Sequence, residues 1–196
     1  MRFTDSREPD SKSTTRGRTV EHRIAVRSPG LVHLLGEAFF RLPRDSKFRR
    51  AFLERTVRTG YEAWNRDDME VARAYADPDV EVHVAQGSDL PVGLDDAYYG
   101  ADGYCRAMEE WAEAWRDWRV EVEDVVEVAR DKFLVTGRHF GEGLASGAKL
   151  EQWSAAIYTI RRGKIVRVDM FFLADKNSVS ETVTALAEGR LLTPGS

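Results

Sequence analysis

WRVEVEDVVEVARDKFLVTGRHFGEGLASGAKLEQWSAAIYTIRRGKIVRVDMFFL, residues 118–173, decides the architecture. Apolar and polar side chains alternate along it with a period of two, the signature of strands with one buried face. Four runs stand out, at 118–129, 132–143, 149–160 and 164–173, separated by the turn-like RDK, ASGAK and RRGK. Loops this short between alternating runs predict antiparallel hairpins, with the last three strands in a meander.

Upstream of residue 118 the period changes to that of a helix. Tyr104, Met108, Trp111 and Trp115 recur at i, i+4, i+7 and i+11 after Asp102 and predict one apolar helix face. A long connection with Gly87, Pro91, Gly93 and Gly100 precedes that helix, and VEVHV at 80–84 reads as a further strand. Asp45 or Ser46 is placed to cap a long helix bearing Phe52, Val57, Gly60, Tyr61 and Trp64. Asp67 with Glu70 reads as a capping box for a shorter helix that stops before Pro78. Downstream, Ser178 with Glu181 predicts the cap of a final helix that ends at Gly189.

At 196 residues, with 42% hydrophobic and 32% charged side chains, the chain has ordinary globular composition. Charge is uneven: residues 1–50 carry 12 basic and six acidic side chains, the remainder 17 and 27. Residues 1–29 are polar and are expected to lack order, and LVHLLGEAFFRL at 31–42 is expected to form a short helix docked on the body or on a second subunit. The basic arm lacks the interleaved aromatics of a nucleic-acid binder, so it is expected to lie on its own acidic domain or to move in solvent. No stretch approaches a membrane span or a secretory signal, and the single Cys105 reads as a buried thiol; a cytoplasmic location is expected. The domain plan is a basic arm at 1–45, one domain at 46–190 and a tail at 191–196.

Four segments in this order, GYEAWNRDDMEVARAYADPDVEVHV at 60–84, YYGADGY at 98–104, TGRHFGEGLASGAKLEQ at 136–152 and IYTIRRGKIVRVDMFF at 157–172, resemble the SnoaL-like branch of the nuclear-transport-factor-2-like superfamily. The resemblance covers roughly residues 47–188. It implies an α+β fold, a conical curved antiparallel sheet wrapped around helices, with a pocket at the open end and no cofactor. It also implies functions from polyketide cyclase, isomerase or hydrolase to non-catalytic binding. Where ketosteroid isomerases of this superfamily carry a Tyr and two acids, the local match finds Gly60, Val82 and Ala156. Where its epoxide hydrolases carry Asp, Arg and Asp, it finds His139, Gly137 and Met170, with Asp169 one residue off and expected outward, paired with a surface Arg.

His139 is therefore the candidate acid/base. Gly137 and Gly141 share its strand face and are expected to leave space beside it. The alternative is a structural His bonded to a backbone carbonyl. Strand parity and helix faces predict a hydrophobic pocket lined by Tyr61, Trp64, Trp111, Trp115, Gln152, Ser154, Tyr158, Val168, Met170 and Phe172. Core packing is the alternative for each Trp and for Met170. His83 is expected to face solvent or a subunit boundary. No spacing of the four histidines suits a metal, and none is expected. Trp153 has the opposite parity and suggests a homodimer through the convex sheet face. Two functions stay open: a cofactor-independent enzyme on a polyketide- or terpenoid-like substrate, with Gln152 or Tyr158 orienting a carbonyl, and a non-catalytic binding or assembly domain.

Overall fold

The computed structural model describes residues 17–84 and 95–187. The expected disorder of residues 1–16, the glycines and proline at 87–93, the helix end at Gly189 and the tail at 191–196 lie outside them. In chain order the elements are α1 (Val20–Arg27), α2 (Pro29–Phe40), α3 (Lys47–Trp64), α4 (Met69–Tyr75), β1 (Ala76–Val84), β2 (Ala97–Tyr99), α5 (Gly100–Glu113), β3 (Trp115–Ala129), β4 (Lys132–Gly143), β5 (Lys149–Arg161), β6 (Lys164–Leu173) and α6 (Lys176–Ala187).

One six-stranded sheet runs β2-β1-β6-β5-β4-β3. The hairpins β3–β4, β4–β5 and β5–β6 are antiparallel as the alternation requires. The β5–β6 turn places Arg162 and Gly163 at φ 51° and 75°, the left-handed pair that matches the twist of a two-residue hairpin. The sheet departs from the expected all-antiparallel arrangement at one junction, where β1 pairs parallel to β6, Val82 beside Val168. Its short edge strand β2 lies within what read as a connection.

Alternation sorts the strands into two faces. Val80, Val82, Val84, Phe133, Val135, Ala156, Tyr158, Val168, Met170 and Phe172 face inward and bury against Leu53, Val57, Trp64, Tyr104, Met108 and Trp111 of α3 and α5. On the opposite face Leu134, Ala155, Ile157 and Phe171 form a smaller cluster. α6 packs against β5 and β6 there, its Lys176 ammonium 6.0 Å from the Trp153 ring.

Several terminal signals resolve differently from their local reading. Trp115 opens β3 rather than extending the α5 stripe, because α5 stops at Glu113. Asp68, not Asp67, precedes α4, and its carboxylate makes no cap bond because it is held by Arg18. Asp175 rather than Ser178 caps α6, its Oδ1 accepting from the Ser178 backbone N–H at 2.8 Å. Those cap bonds hold the Asp175 carboxyl below its ordinary pKa.

The largest departure is the arm. Residues 17–29, expected to lack order, contain α1, and α2 follows after Ser28. The Arg18 guanidinium grips the 1% exposed Asp68 carboxylate at 2.6 and 2.7 Å and reaches Glu70. His22, fully buried, contacts the Thr59 carbonyl and Arg66, each at 2.8 Å. Since a guanidinium only donates, Nδ1 of His22 accepts from Arg66 and Nε2–H donates to Thr59. On α2, His33 Nε2–H donates to the Ala74 carbonyl at 2.8 Å. Gly163 at the β5–β6 turn packs against α2: a Cβ on it would overlap the His33 carbonyl oxygen, a close approach that needs glycine. Arg49, 2% exposed, then fastens the arm's end to the body through Glu127 and the carbonyls of Phe40, Leu42 and Arg130. The described part of this segment, residues 17–45, thus lies against the rest of the chain.

Candidate functional site

α3 brings Tyr61 and Trp64, α5 brings Tyr104, and β5 brings Tyr158 to one wall of an apolar cavity of about 80 Å³. Val32 and Phe40 of the arm, Phe52, Leu53 and Thr56 of α3, and Tyr75 of α4 complete much of the enclosure. Among the described residues no charged side chain lines it. Gly60 faces open space, since a Cβ built on it meets nothing within 4 Å. The volume exceeds the share of liquid held by two waters, roughly 30 Å³ each. It falls well short of the roughly 300–1,000 Å³ typical of a drug-sized ligand's pocket. In this conformation the arm, through Val32 and Phe40, contributes to closing it.

The polar part of the wall is a tyrosine cluster. Tyr61 and Tyr158 place their hydroxyl oxygens 2.9 Å apart, and Tyr104 lies beside them on the same wall. Burial pushes the Tyr61 phenol up to about 12, and it holds Tyr104 and Tyr158 well above the ordinary tyrosine value. All three are neutral donors near neutral pH. The Tyr61–Tyr158 bond uses one of the three hydroxyl protons, and even a further bond within the cluster would leave one O–H to donate.

His139 faces inward on β4, as its parity predicts, but lies away from this cavity. It is 4% exposed and sits among the rings of Trp111, Trp118 and Phe172, 5.7–5.9 Å between centroids. Trp111 Nε1–H donates to its Nδ1 at 3.1 Å. The proton of the neutral ring is therefore on Nε2, which donates to Ser154 Oγ at 2.8 Å. Burial lowers its pKa to about 4. The space expected beside it is filled. A Cβ on Gly137 would approach the Glu121 carbonyl oxygen to 2.8 Å, and one on Gly141 would come within 3.0 Å of Trp115. The glycines allow β3 and Trp115 to press close to β4.

The remaining expected residues divide between these two regions. Tyr61, Trp64 and Tyr158 line the cavity. Trp111, Ser154 and Phe172 surround His139, and Trp115 lies 5.7 Å from Trp111. Half-buried Gln152 pairs with His139 in register, on the same sheet face. Val168 and Met170 are core residues. Tyr104, Gly60, Tyr75 and the arm also line the cavity without a pocket signal in the sequence, where Tyr104 reads only as one member of an apolar stripe. Asp169 faces away from the core and pairs with Arg167 at 2.7 Å, as expected, yet is fully buried. His83, beside Glu81 at 2.9 Å, also lies on that outer face. Trp115 and Trp118 each have a buried indole N–H without a hydrogen-bond partner among the described residues. Among those residues no cluster of three or more His, Cys, Asp or Glu is placed to hold a metal, and no helix is long and apolar enough to cross a membrane.

The sequence model of the SnoaL-like domain family matches residues 57–168. Among solved structures, TerC co-crystallised with polyporic acid is 21% identical, with a TM-score of 0.52 over 69% of this chain and 97% of its own. Bal32a, from a soil-derived mobile gene cassette, is 18% identical with a TM-score of 0.53 over 65% and 93%. A protein of Jannaschia sp. CCS1, provisionally described as a SnoaL-like polyketide cyclase, is 18% identical with a TM-score of 0.50 over 68% and 90%. At these identities the likeness is one of fold. Curated proteins yield no match.

Proposed function

The chain belongs to the SnoaL-like domain family, and we propose that it binds an uncharged, flat, hydrophobic small molecule through one acceptor oxygen held by the tyrosine cluster. The observation that carries this is the spare O–H of Tyr61, Tyr104 and Tyr158 on the wall of an apolar cavity. A carbonyl or ether oxygen satisfies it at no charge cost, whereas an ion would lose its hydration without a counter-charge. A phenol kept neutral and dry donates strongly to a carbonyl, so the same contact serves binding and, for a reactive ligand, stabilisation of developing negative charge. His139, with both ring nitrogens engaged, fixes Trp111 and Ser154 in this reading and does not shuttle protons.

The test is tryptophan fluorescence, since Trp64 lies 4.7 Å from Tyr61. Acetophenone and naphthoquinone are titrated against the protein and its Tyr158→Phe form. Loss of about tenfold in affinity for these carbonyl compounds, with an unchanged affinity for naphthalene, supports the reading. Absence of binding, or equal loss for naphthalene, overturns it.

A second reading rests on the unpartnered indole N–H groups of Trp115 and Trp118. They suit an acceptor-bearing ligand at the His139 end of the cone, and Trp118→Phe would weaken that ligand while leaving the tyrosine site unaffected. Homodimerisation through the convex face would in either case use the β3–β4 strip carrying Val126 and Phe140, because α6 packs on β5 and β6. Sedimentation of the full chain measures it.

A further inference from the structure

A groove of about 250 Å³ lies between α1, α2 and α3, lined by Ile24 of α1, Val32 and Leu35 of α2, and Phe52, Thr56 and Thr59 of α3, with Tyr75 behind. Glu21 of α1 and Arg55 of α3, an ion pair, also line it. Four of its residues, Val32, Phe52, Thr56 and Tyr75, also line the inner cavity. Those four come from α2, α3 and α4, so helices and not the sheet divide the two spaces. Ile24 and Leu35 are 40% and 44% exposed, apolar surface left open although α1 and α2 are anchored beside it.

We infer that the groove is the outer compartment of the same site, taking an alkyl or isoprenoid tail of the ligand whose oxygen-bearing head occupies the inner cavity. The inference rests on the tyrosine-site reading above. Adjacency argues for a single occupant, because Phe52 and Val32 line both spaces and a tail passing between them would leave the inner cavity for the groove. Size argues the same way. The inner cavity alone falls well short of a drug-sized ligand's pocket, while the groove adds the volume of about eight water molecules at roughly 30 Å³ each, enough for a short chain. Its walls are largely apolar and give a tail burial rather than hydrogen bonds.

The experiment titrates acetophenone and its 4-ethyl, 4-butyl and 4-hexyl derivatives against the full chain, the Leu35→Asn form and the Ile24→Trp form. Both positions are exposed enough for the fold to tolerate the change, and circular dichroism checks it. Wild type is expected to gain about three- to fourfold in affinity per methylene. The two variants are expected to bind acetophenone as wild type does while losing most of that gain, through a polar wall in one and a filled groove in the other. Acetophenone binding without a gain from the tail overturns the outer compartment alone. A gain that persists in both variants also overturns it, since the tail then lies elsewhere. Failure of acetophenone itself to bind overturns the tyrosine-site reading, and the two-part site with it.

Discussion

Trp111 on α5 donates its indole N–H to Nδ1 of His139 on β4 across 3.1 Å. That bond, with the one from Nε2 to Ser154, leaves no position on the folded ring for a second proton. The pKa near 4 in the folded chain lies below the ordinary 6.5 of an exposed His. Between these values the unfolded chain takes up a proton that the native chain refuses, so stability falls as pH drops through 6.5 and levels off below 4. The loss from this group is about 3 kcal/mol, and above pH 6.5 it contributes no pH dependence. Urea unfolding at pH 7, 5.5 and 4 measures the slope. His139→Asn, whose amide oxygen can still accept from Trp111, is expected to remove that part of it.

The tyrosine cluster gives the mirror-image behaviour in alkali. Unfolded tyrosines ionise near pH 10, whereas the Tyr61 phenol in the fold does so only at about 12, and burial holds Tyr104 and Tyr158 well above the ordinary value too. Their contribution is whole below pH 10 and is lost as pH rises beyond it. Phenolate absorbance at 295 nm should therefore appear for these three together with the loss of the circular dichroism signal. Ionisation of all three near pH 10 in a folded protein would show that the cluster is not buried.

Gly60 lies inside α3 where a helix former would ordinarily stand. A methyl group there enters open space. Gly60→Ala is expected to stabilise the fold by about 0.5–1 kcal/mol, a rise of about 2–3 °C in Tm by calorimetry. It should at the same time weaken binding of any cavity ligand, because the added carbon occupies the lumen.

Arg18 is the anchor of the arm. Removing it as Arg18→Ala strands the Asp68 carboxylate in the interior and is expected to cost about 3 kcal/mol. Asp68→Asn in the same chain should restore part of that loss, because a neutral amide tolerates burial better than a lone charge. Chemical denaturation of the two single variants and the double variant gives the coupling directly; additive losses would mean the pair does not interact in solution.

The sheet was legible because its signal is local: four alternating runs and three short turns leave few ways to fold, and the inward parity of His139, Tyr158 and Phe172 follows directly. α1 was not legible. His22 within it and Arg18 just before it are ordered by Thr59, Arg66 and Asp68, 37 to 50 positions along the chain, and no local window of sequence contains both partners. Trp115 misled because i+4 from Trp111 is a helical spacing even when the helix has already stopped. The position of the cavity misled for a different reason. Two glycines beside His139 announced missing side chains, but not that β3 and Trp115 would move into their place. Tyr104, spaced with Met108 and Trp111, shows its hydroxyl's role only once Tyr61 and Tyr158 are brought to it.

The parallel junction of β1 with β6 also sets an order of events in folding. β3 to β6 can zip together through hairpins, each closing a short loop within microseconds. Val82 finds Val168 only after the intervening chain has folded back, a non-local closure whose entropy must be met before its contacts form. The meander is thus expected to form first and β1 to join last, bringing Val80, Val82 and Val84 into the core in the step that limits the rate.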